Sequence, residues 1–277
     1  MKLAIFADVH ANYTALQAVL AEIAAWQPER VIVAGDIVNR GPQPLQCWQL
    51  LQGMADSAGW FLMRGNHEDY VIDVAAHPKS GYEREFLQPV VWTAAALGQQ
   101  VAALAALPEG ISLHAPNGSE LRVRHASMRH NREGLYPEND DAMLAMRFAP
   151  APAVFVTGHT HRAFIRQVNG TLVVNVGSAG LPFDGDTRPT YAQITWGARH
   201  GWQANIQRVN YDHAAAQRAF EETGFAHEGG ALTRVMLREL QQARSLLYGW
   251  TSMYQDSVLS GTISMEESVR LYLEQQS

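Results

Sequence analysis

One cysteine, Cys47, is all that the 277 residues carry, so an intrachain disulfide is impossible. That scarcity fits a reducing compartment. Long apolar runs are missing too. None approaches the roughly 20 residues that a helix needs to cross a bilayer. The apolar stretch Leu3 to Ala7 stops at Asp8, which is too short for a signal-peptide core and reads as a buried strand. Cytoplasmic residence and no membrane partner are the expectations. Charge of one sign is not concentrated either: 21 Lys and Arg stand against 27 Asp and Glu, a net charge of −6. That balance gives no electrostatic reason to expect nucleic acid. There is no internal repeat and no low-complexity tract. A hydrophobic content of 47% with 17% charged residues describes a soluble globular protein rather than a disordered one. The length suits one large domain, or one domain with an appendage.

What is present alternates in a regular way. Leu3 to Ala7, Val31 to Ala34 and Trp60 to Met63 read as buried strands. Tyr13 to Trp26 and Pro44 to Met54 read as helices, the first with Leu16, Val19, Leu20 and Ile23 at helical spacing. Strand-loop-helix alternation argues for parallel βαβ units, in which functional groups gather at the carboxyl ends of strands. Residues 69 to 107 look helical, interrupted near Pro78 to Gly81. Strands follow at 111–113, 121–124, 154–157, 164–168, 172–176, 191–196 and 202–209, with turns at Asn117-Gly118 and Asn169-Gly170. The second half of the core is therefore expected to be more antiparallel. From Asp212 the pattern is helical: 212–222 with a capping aspartate, 232–248, and a segment after the capping-box pattern Ser264 to Glu267.

Five polar motifs fall where strands hand over to loops. They are Asp8-x-His10, Gly35-Asp36-x-x-Asn39-Arg40, Gly65-Asn66-His67-Glu68, His125, and Gly158-His159-Thr160-His161. Together they hold enough aspartate, asparagine and histidine for two divalent metals, with one histidine to spare. A carboxylate has two oxygens and can bridge two cations, and Asp36 is the best candidate for that shared place. Two metals about 3.5–4 Å apart clamp the attacking and leaving oxygens of a phosphoryl displacement, and they lower the pKa of bound water. Imidazole with carboxylate and amide suits Mn, Fe, Zn, Co or Ni better than Ca or Mg. If Asn66 ligates, His67 is free to act as general acid, and the Arg40 fork matches phosphate oxygens. Glu68 and Asp69 read as first-turn helix charges. Surface or structural roles are expected for His114, His130, Arg129 and Asn131. Gly177-Ser178 either lines the pocket or makes a tight turn.

The ordered set resembles the calcineurin-like metallophosphoesterase superfamily. Asp8-Val-His-Ala-Asn12, Trp92-Thr93 and the run Asn175 to Asp186 are similar to motifs of its small prokaryotic branch, the YfcE-like phosphodiesterases. The resemblance covers roughly residues 1 to 210. It implies an α/β fold, a four-layer αββα sandwich, here over 1–211, with a C-terminal helical appendage over 212–277. It further implies one metal on Asp8, His10, Asp36 and His161, and a second on Asp36, Asn66, His125 and His159. His67 would be the catalytic histidine and Arg40 a phosphate contact, with Asn39 and Asn12 beside the substrate.

The implied activity is that of a binuclear metal-dependent phosphoesterase. A metal-bridging hydroxide would attack a small phosphomono- or phosphodiester, and His67 would protonate the leaving group. Two alternatives stand beside it: a metal-bearing interaction scaffold of the same fold, which would lack the catalytic histidine, and a nucleotide or dinucleotide polyphosphate hydrolase. Two departures are visible. Asn39 stands where the protein-phosphatase branch has an aspartate that orients the catalytic histidine, and Ala11 where glycine is frequent. The helical tail either caps the pocket or pairs two copies into a homodimer.

Overall fold

Apolar residues on both faces of a strand require a cover on both sides, and the first strands obey this. In the computed structural model, which describes residues 1–276, β1 (Lys2–Phe6) turns Leu3 and Ile5 one way and Ala4 and Phe6 the other. The expected appendage thus ends one residue beyond the described part, at Ser277. β1 pairs in parallel with β2 (Arg30–Val33), and β2 with β3 (Phe61–Leu62). Helices α1 (Tyr13–Trp26) and α2 (Pro44–Ala58) connect them. Asn12 caps α1 by accepting from Ala15 N, and Pro44 begins α2, where a missing N–H costs nothing.

Beyond β3 come α3 (Asn66–Ala76), α4 (Gly81–Phe86), α5 (Gln88–Leu97) and α6 (Val101–Ala105). The second sheet uses β4 (Gly110–His114), β5 (Glu120–Arg124), β6 (Val154–Thr157), β7 (Phe164–Val168) and β8 (Thr171–Asn175) in the order β4-β5-β6-β8-β7. It is mixed: β4 and β7 are antiparallel edges, while β5, β6 and β8 run parallel. The hairpin β9 (Thr190–Gly197) and β10 (Gly201–Arg208) returns to the first sheet, where β9 pairs antiparallel with β1.

Leu3, Ile5 and Ile32 of one sheet meet Val123, Val156 and Val174 of the other in a dry middle layer. On the outside of the first sheet, Ala4, Phe6 and Val33 pack on α1, α2 and α3. On the outside of the second, Phe155 and Val173 pack on Leu144 and Phe148 of α7 (Asp141–Phe148). The result is four layers, αββα. No element was expected at α7. Its capping Asp140 and buried pair Leu144 and Phe148 are flanked by exposed Met143 and Met146, which blur the helical period.

The tail comprises α8 (His213–Glu222), α9 (Phe225–Glu228), α10 (Leu232–Gln242), α11 (Leu247–Leu259) and α12 (Met265–Gln275). Phe225, Val235, Trp250 and Val269 form its own apolar cluster, and Leu181 of the core is part of it. α8 lies on α1, α9 on α5, and α11 on α4. One helix was expected over 232–248, and two are found. Ala243 adopts a left-handed backbone, φ 49°, which ends α10. A buried carboxylate, Glu239, then accepts from both Leu246 N and Leu247 N at 2.8 Å, so the N–H groups opening α11 are satisfied from the preceding helix.

A left-handed alanine carries steric strain that glycine lacks. Ala243→Gly should therefore raise unfolding stability by about 0.5–1 kcal/mol, read as a higher urea midpoint at unchanged slope. A lower midpoint would show that the turn is not strained.

Candidate metal centre

The chain leaves β1, β2 and β3 at one end of the first sheet, and β5 and β6 at the matching end of the second. The loops that follow stay tied to one another: Asp8 N, His10 N and Ala11 N each donate at 3.0 Å, to Gly35 O, Asp36 O and Ile37 O. Their backbones are unusual. Among the described residues, eleven non-glycine positions have positive φ, and eight lie here: Asp8, His10, Ala11, Asp36, Asn39, Arg40, His159 and His161. Each such residue costs on the order of 1–2 kcal/mol and persists only where its surroundings impose it. Glu68 is a large part of those surroundings. Fully buried, it accepts from Gly65 N, Asp36 N and Ile37 N at 2.8 Å and from Val38 N at 3.1 Å. Burial, then the Asp36 charge, pushes its carboxyl up to about 7. The glycines before Asn66 and His159 have a steric cause: a Cβ on Gly65 would strike the Asp36 carboxylate, and one on Gly158 the Asp8 carboxylate.

Histidine tautomers follow from what each ring touches on its far side. The Nδ1 atoms of His10, His161 and His125 face the carbonyl oxygens of Asn39, Leu181 and Ala34 at 3.3, 2.5 and 2.9 Å. A carbonyl only accepts, so each Nδ1 carries the proton and each Nε2 presents a lone pair inward. The inward atoms are acceptors facing acceptors. His10 Nε2 and His161 Nε2 are 3.0 Å apart, and Asp8 Oδ1 lies 3.3 Å from the latter and 3.8 Å from the former. His125 Nε2 is 3.0 Å from Asn66 Oδ1 and 3.2 Å from Asp36 Oδ2. Asp36 Oδ2 is also 3.7 Å from His10 Nε2, which places it between the two groups.

Two donor sets result, Asp8 with His10 and His161, and Asp36 with His125 and His159, each with its atoms mutually within 4.8 Å. Asp8 Oδ1 is buried and has no hydrogen-bond partner. Such an arrangement is repulsive unless positive charge sits in its middle, and N and O donors of this kind fit a divalent transition ion. The titration pattern has the same origin. Burial would depress His125, but the Asp36 carboxylate beside it drives the ring up to about 10, so without a cation a proton on Nε2 supplies the positive charge that a bound cation would replace. Burial pulls His10 well down, helped by His161, and takes His159 down to about 4, helped by His125.

Of the residues expected beside the substrate, Asn39, Arg40 and His67 line one cavity of about 510 Å³. Asn39 Oδ1 accepts from Arg40 N at 2.9 Å, which fixes the amide so that Nδ2 faces His67 Nδ1 at 2.8 Å. His67 Nδ1 must then accept, and its hydrogen sits on Nε2. Burial and the nearby Arg40 cation hold this ring well below its ordinary pKa, against the pull of Asp36. His67 also falls within a donor set with His10 and Asp36, so the cavity wall and the Asn39 bond are what set it apart. Asn12 caps α1 by accepting from Ala15 N at 3.1 Å and donates to Gly180 O at 2.8 Å, and it lines a smaller pocket together with His10 and Arg40.

Sequence reasoning missed Glu239. From α10 its carboxylate pairs with Arg40 Nη2 while Arg40 Nε has no hydrogen-bond partner. The signal was present: Leu232, Val235, Met236, Glu239 and Leu240 are the buried stripe of α10, and an acid within such a stripe needs a cation.

Comparison with known proteins agrees with this geometry. The model of the calcineurin-like phosphoesterase superfamily domain matches residues 1–198. An uncharacterised protein of Methanocaldococcus jannaschii is 26% identical over 228 residues, 76% of this chain and 88% of its own. The crystal structure of a metallophosphoesterase from Sphaerobacter thermophilus superposes with a TM-score of 0.68 at 26% identity, covering 88% of this chain and 100% of that one. A hypothetical protein from Pyrococcus horikoshii shares the fold at 16% identity, with a TM-score of 0.73 over 88% of this chain and 99% of its own.

Cations that bind the folded donor sets and not the unfolded chain raise stability by about 2.7 kcal/mol at a hundredfold excess over Kd. Adding Mn²⁺ or Zn²⁺ to chelator-treated protein should raise Tm by several degrees, and Asp36→Asn, which removes a carboxylate from one set and the charge beside His10 of the other, should lose most of that rise. Equal shifts in the two proteins would remove Asp36 from the centre.

Proposed function

The chain belongs to the calcineurin-like phosphoesterase superfamily, hydrolases of phosphate esters, and we propose that it acts through a binuclear metal centre on small organic phosphoesters. One observation carries the reading: Asp36 Oδ2 stands between two inward-facing donor sets, 3.2 Å from His125 Nε2 and 3.7 Å from His10 Nε2, and His67 stands beside them at a cavity wall. Asp8, His10, Asp36 and His161 would hold one cation, and Asp36, Asn66, His125 and His159 the other. When bound, two divalent ions supply a nucleophile at neutral pH and neutralise the phosphoryl charge.

The chain's own groups do the rest. Glu68 holds the Asp36 loop, and therefore the shared oxygen, in place. Arg40, anchored by Glu239, lines the cavity, where its guanidinium would meet a phosphate oxygen. His67 points a fixed Nε2–H outward, because Asn39 occupies Nδ1 as a donor. An aspartate at position 39 would accept from Nδ1–H and support imidazolium; the amide does neither. His67 therefore meets the leaving oxygen as a neutral hydrogen-bond donor. That favours leaving groups that carry negative charge well, such as phenolates and phosphates, over simple alkoxides.

Two outcomes follow. His67→Ala should lower kcat about 10²- to 10⁴-fold at unchanged metal content by elemental analysis; undiminished turnover would remove His67 from the reaction. In the native protein, rates should fall steeply from p-nitrophenyl phosphate through phenyl phosphate to methyl phosphate. Asn39→Asp should flatten that series by supplying a better proton donor, so a native series that is already flat contradicts the neutral-donor role.

A further inference from the structure

The cavity beside His67 extends well past the metal ligands. Phe86 and Val90 of α4 and α5 form part of its wall, and Leu232, Met236 and Leu247 of the helices after β10 form another part. At about 510 Å³ it lies within the roughly 300–1,000 Å³ of small-molecule sites. A benzene ring fills an apolar cavity of about 150 Å³, so there is room for a two-ring group beside a phosphoryl group.

The walls are fixed with respect to each other and to the metal centre. Phe86 stacks on the buried Trp250 ring of α11, with centroids 5.9 Å apart and planes 18° from parallel. Leu247 is registered to Arg40 through one carboxylate. Glu239 accepts from Leu247 N at 2.8 Å with one oxygen and pairs with the Arg40 guanidinium through the other. A buried ion pair and a backbone hydrogen bond therefore set how far the apolar wall stands from Arg40. A cavity held in this way has little ordering cost when a ligand enters.

Among the described residues that line it, only Arg40 and Arg132 are charged. Arg40 has its counter-charge in Glu239. Arg132 is exposed at the rim, where water solvates it and its guanidinium rests 4.5 Å from the Tyr70 ring centroid. Neither calls for an anion besides the phosphoryl group. What the rest of the lining offers a ligand is aliphatic, aromatic and thioether surface, which gains by shedding water against another apolar surface. Ser245, Thr251 and Gln255 add neutral polar atoms, which tolerate a polar substituent and demand no ion.

We propose that Met236 and Leu247 are specificity-determining residues. They seat the alcohol part of the ester, and the cavity selects phosphoesters whose leaving group is bulky, flat, apolar and uncharged, such as a fused-ring aryl group. This inference rests on the phosphoesterase reading above. It agrees with the neutral His67 donor, because an aryl oxygen leaves without full protonation. The helices after β10 thus choose the substrate that the preceding loops cleave.

The test is calorimetric binding of a phosphonate ladder to the metal-loaded protein: methylphosphonate, benzylphosphonate and naphthylmethylphosphonate. These share one headgroup and carry no hydrolysable ester bond, so leaving-group acidity plays no part. Affinity should rise along the ladder, by at least about tenfold from first to last. Met236→Trp, which fills the cavity, should remove most of that ratio, and Leu247→Ala, at a half-buried position, should shrink it. A carboxylate added to the benzyl ring should bring no gain. A flat ladder in the native protein, a ratio that ignores both substitutions, or tighter binding of the carboxylated ring would each overturn the proposal. The native ladder decides where a variant fails to fold. A flat ladder in a protein that hydrolyses p-nitrophenyl phosphate leaves the phosphoesterase reading standing. A steep ladder in a protein that hydrolyses no ester contradicts that reading and leaves the cavity assignment in place.

Discussion

Lone pairs pointed at one another repel, and this molecule is arranged to hold them so. His10, His161 and His125 each spend their Nδ1 hydrogen on a backbone carbonyl, which turns their Nε2 atoms toward carboxylates and toward one another. Nothing local would keep that arrangement. It is kept by the backbone pairing between the loops after β1 and β2, and by Glu68, one carboxylate serving four N–H groups. Left-handed residues at ligand positions are the conformational consequence. The strain lies in the loops and its compensation in the two-sheet core beneath them.

The tail belongs to the same logic. Arg40 could not keep a cation at the cavity wall without a counter-charge, and Glu239 supplies it from α10. The same carboxylate satisfies the first turn of α11. One buried acid thus fixes the guanidinium, the break between two helices and the placement of Leu247 and Tyr248 over the cavity. An addition after the last strand is in this way built into the chemistry of the loops that precede it.

Much of this was legible in the sequence because it rests on local rules. Apolar runs ending at Asp8, Asp36 and Asn66 mark strand ends, and an ordered set of ligand types at those ends marks a metal centre. Two things escaped. Period alone does not reveal a helix as short as α7, nor the break at Ala243, since alanine and leucine continue a helical pattern through a turn that tertiary contacts impose. Roles set by distant partners escaped as well. Asn12's structural part, capping α1 and tying it to Gly180, is set by a residue 168 positions away. Glu239 and Arg132 gain their meaning from residues roughly 200 and 60 positions away, Arg40 and Tyr70, which no spacing rule reaches.

The division of ligands between the sheets has a consequence for the chain as it is made. Asp8, His10, Asp36 and Asn66 follow strands of the first sheet, and His125, His159 and His161 follow strands of the second. A nascent chain that has emerged as far as β3 carries only oxygen donors and one histidine of the set, so it grips transition ions weakly. The second-sheet imidazoles follow later, His125 after β5 and His159 and His161 after β6, roughly 60 to 95 residues beyond Asn66. With the ligands proposed above, the metal centre would be complete only once strands of both sheets have been made.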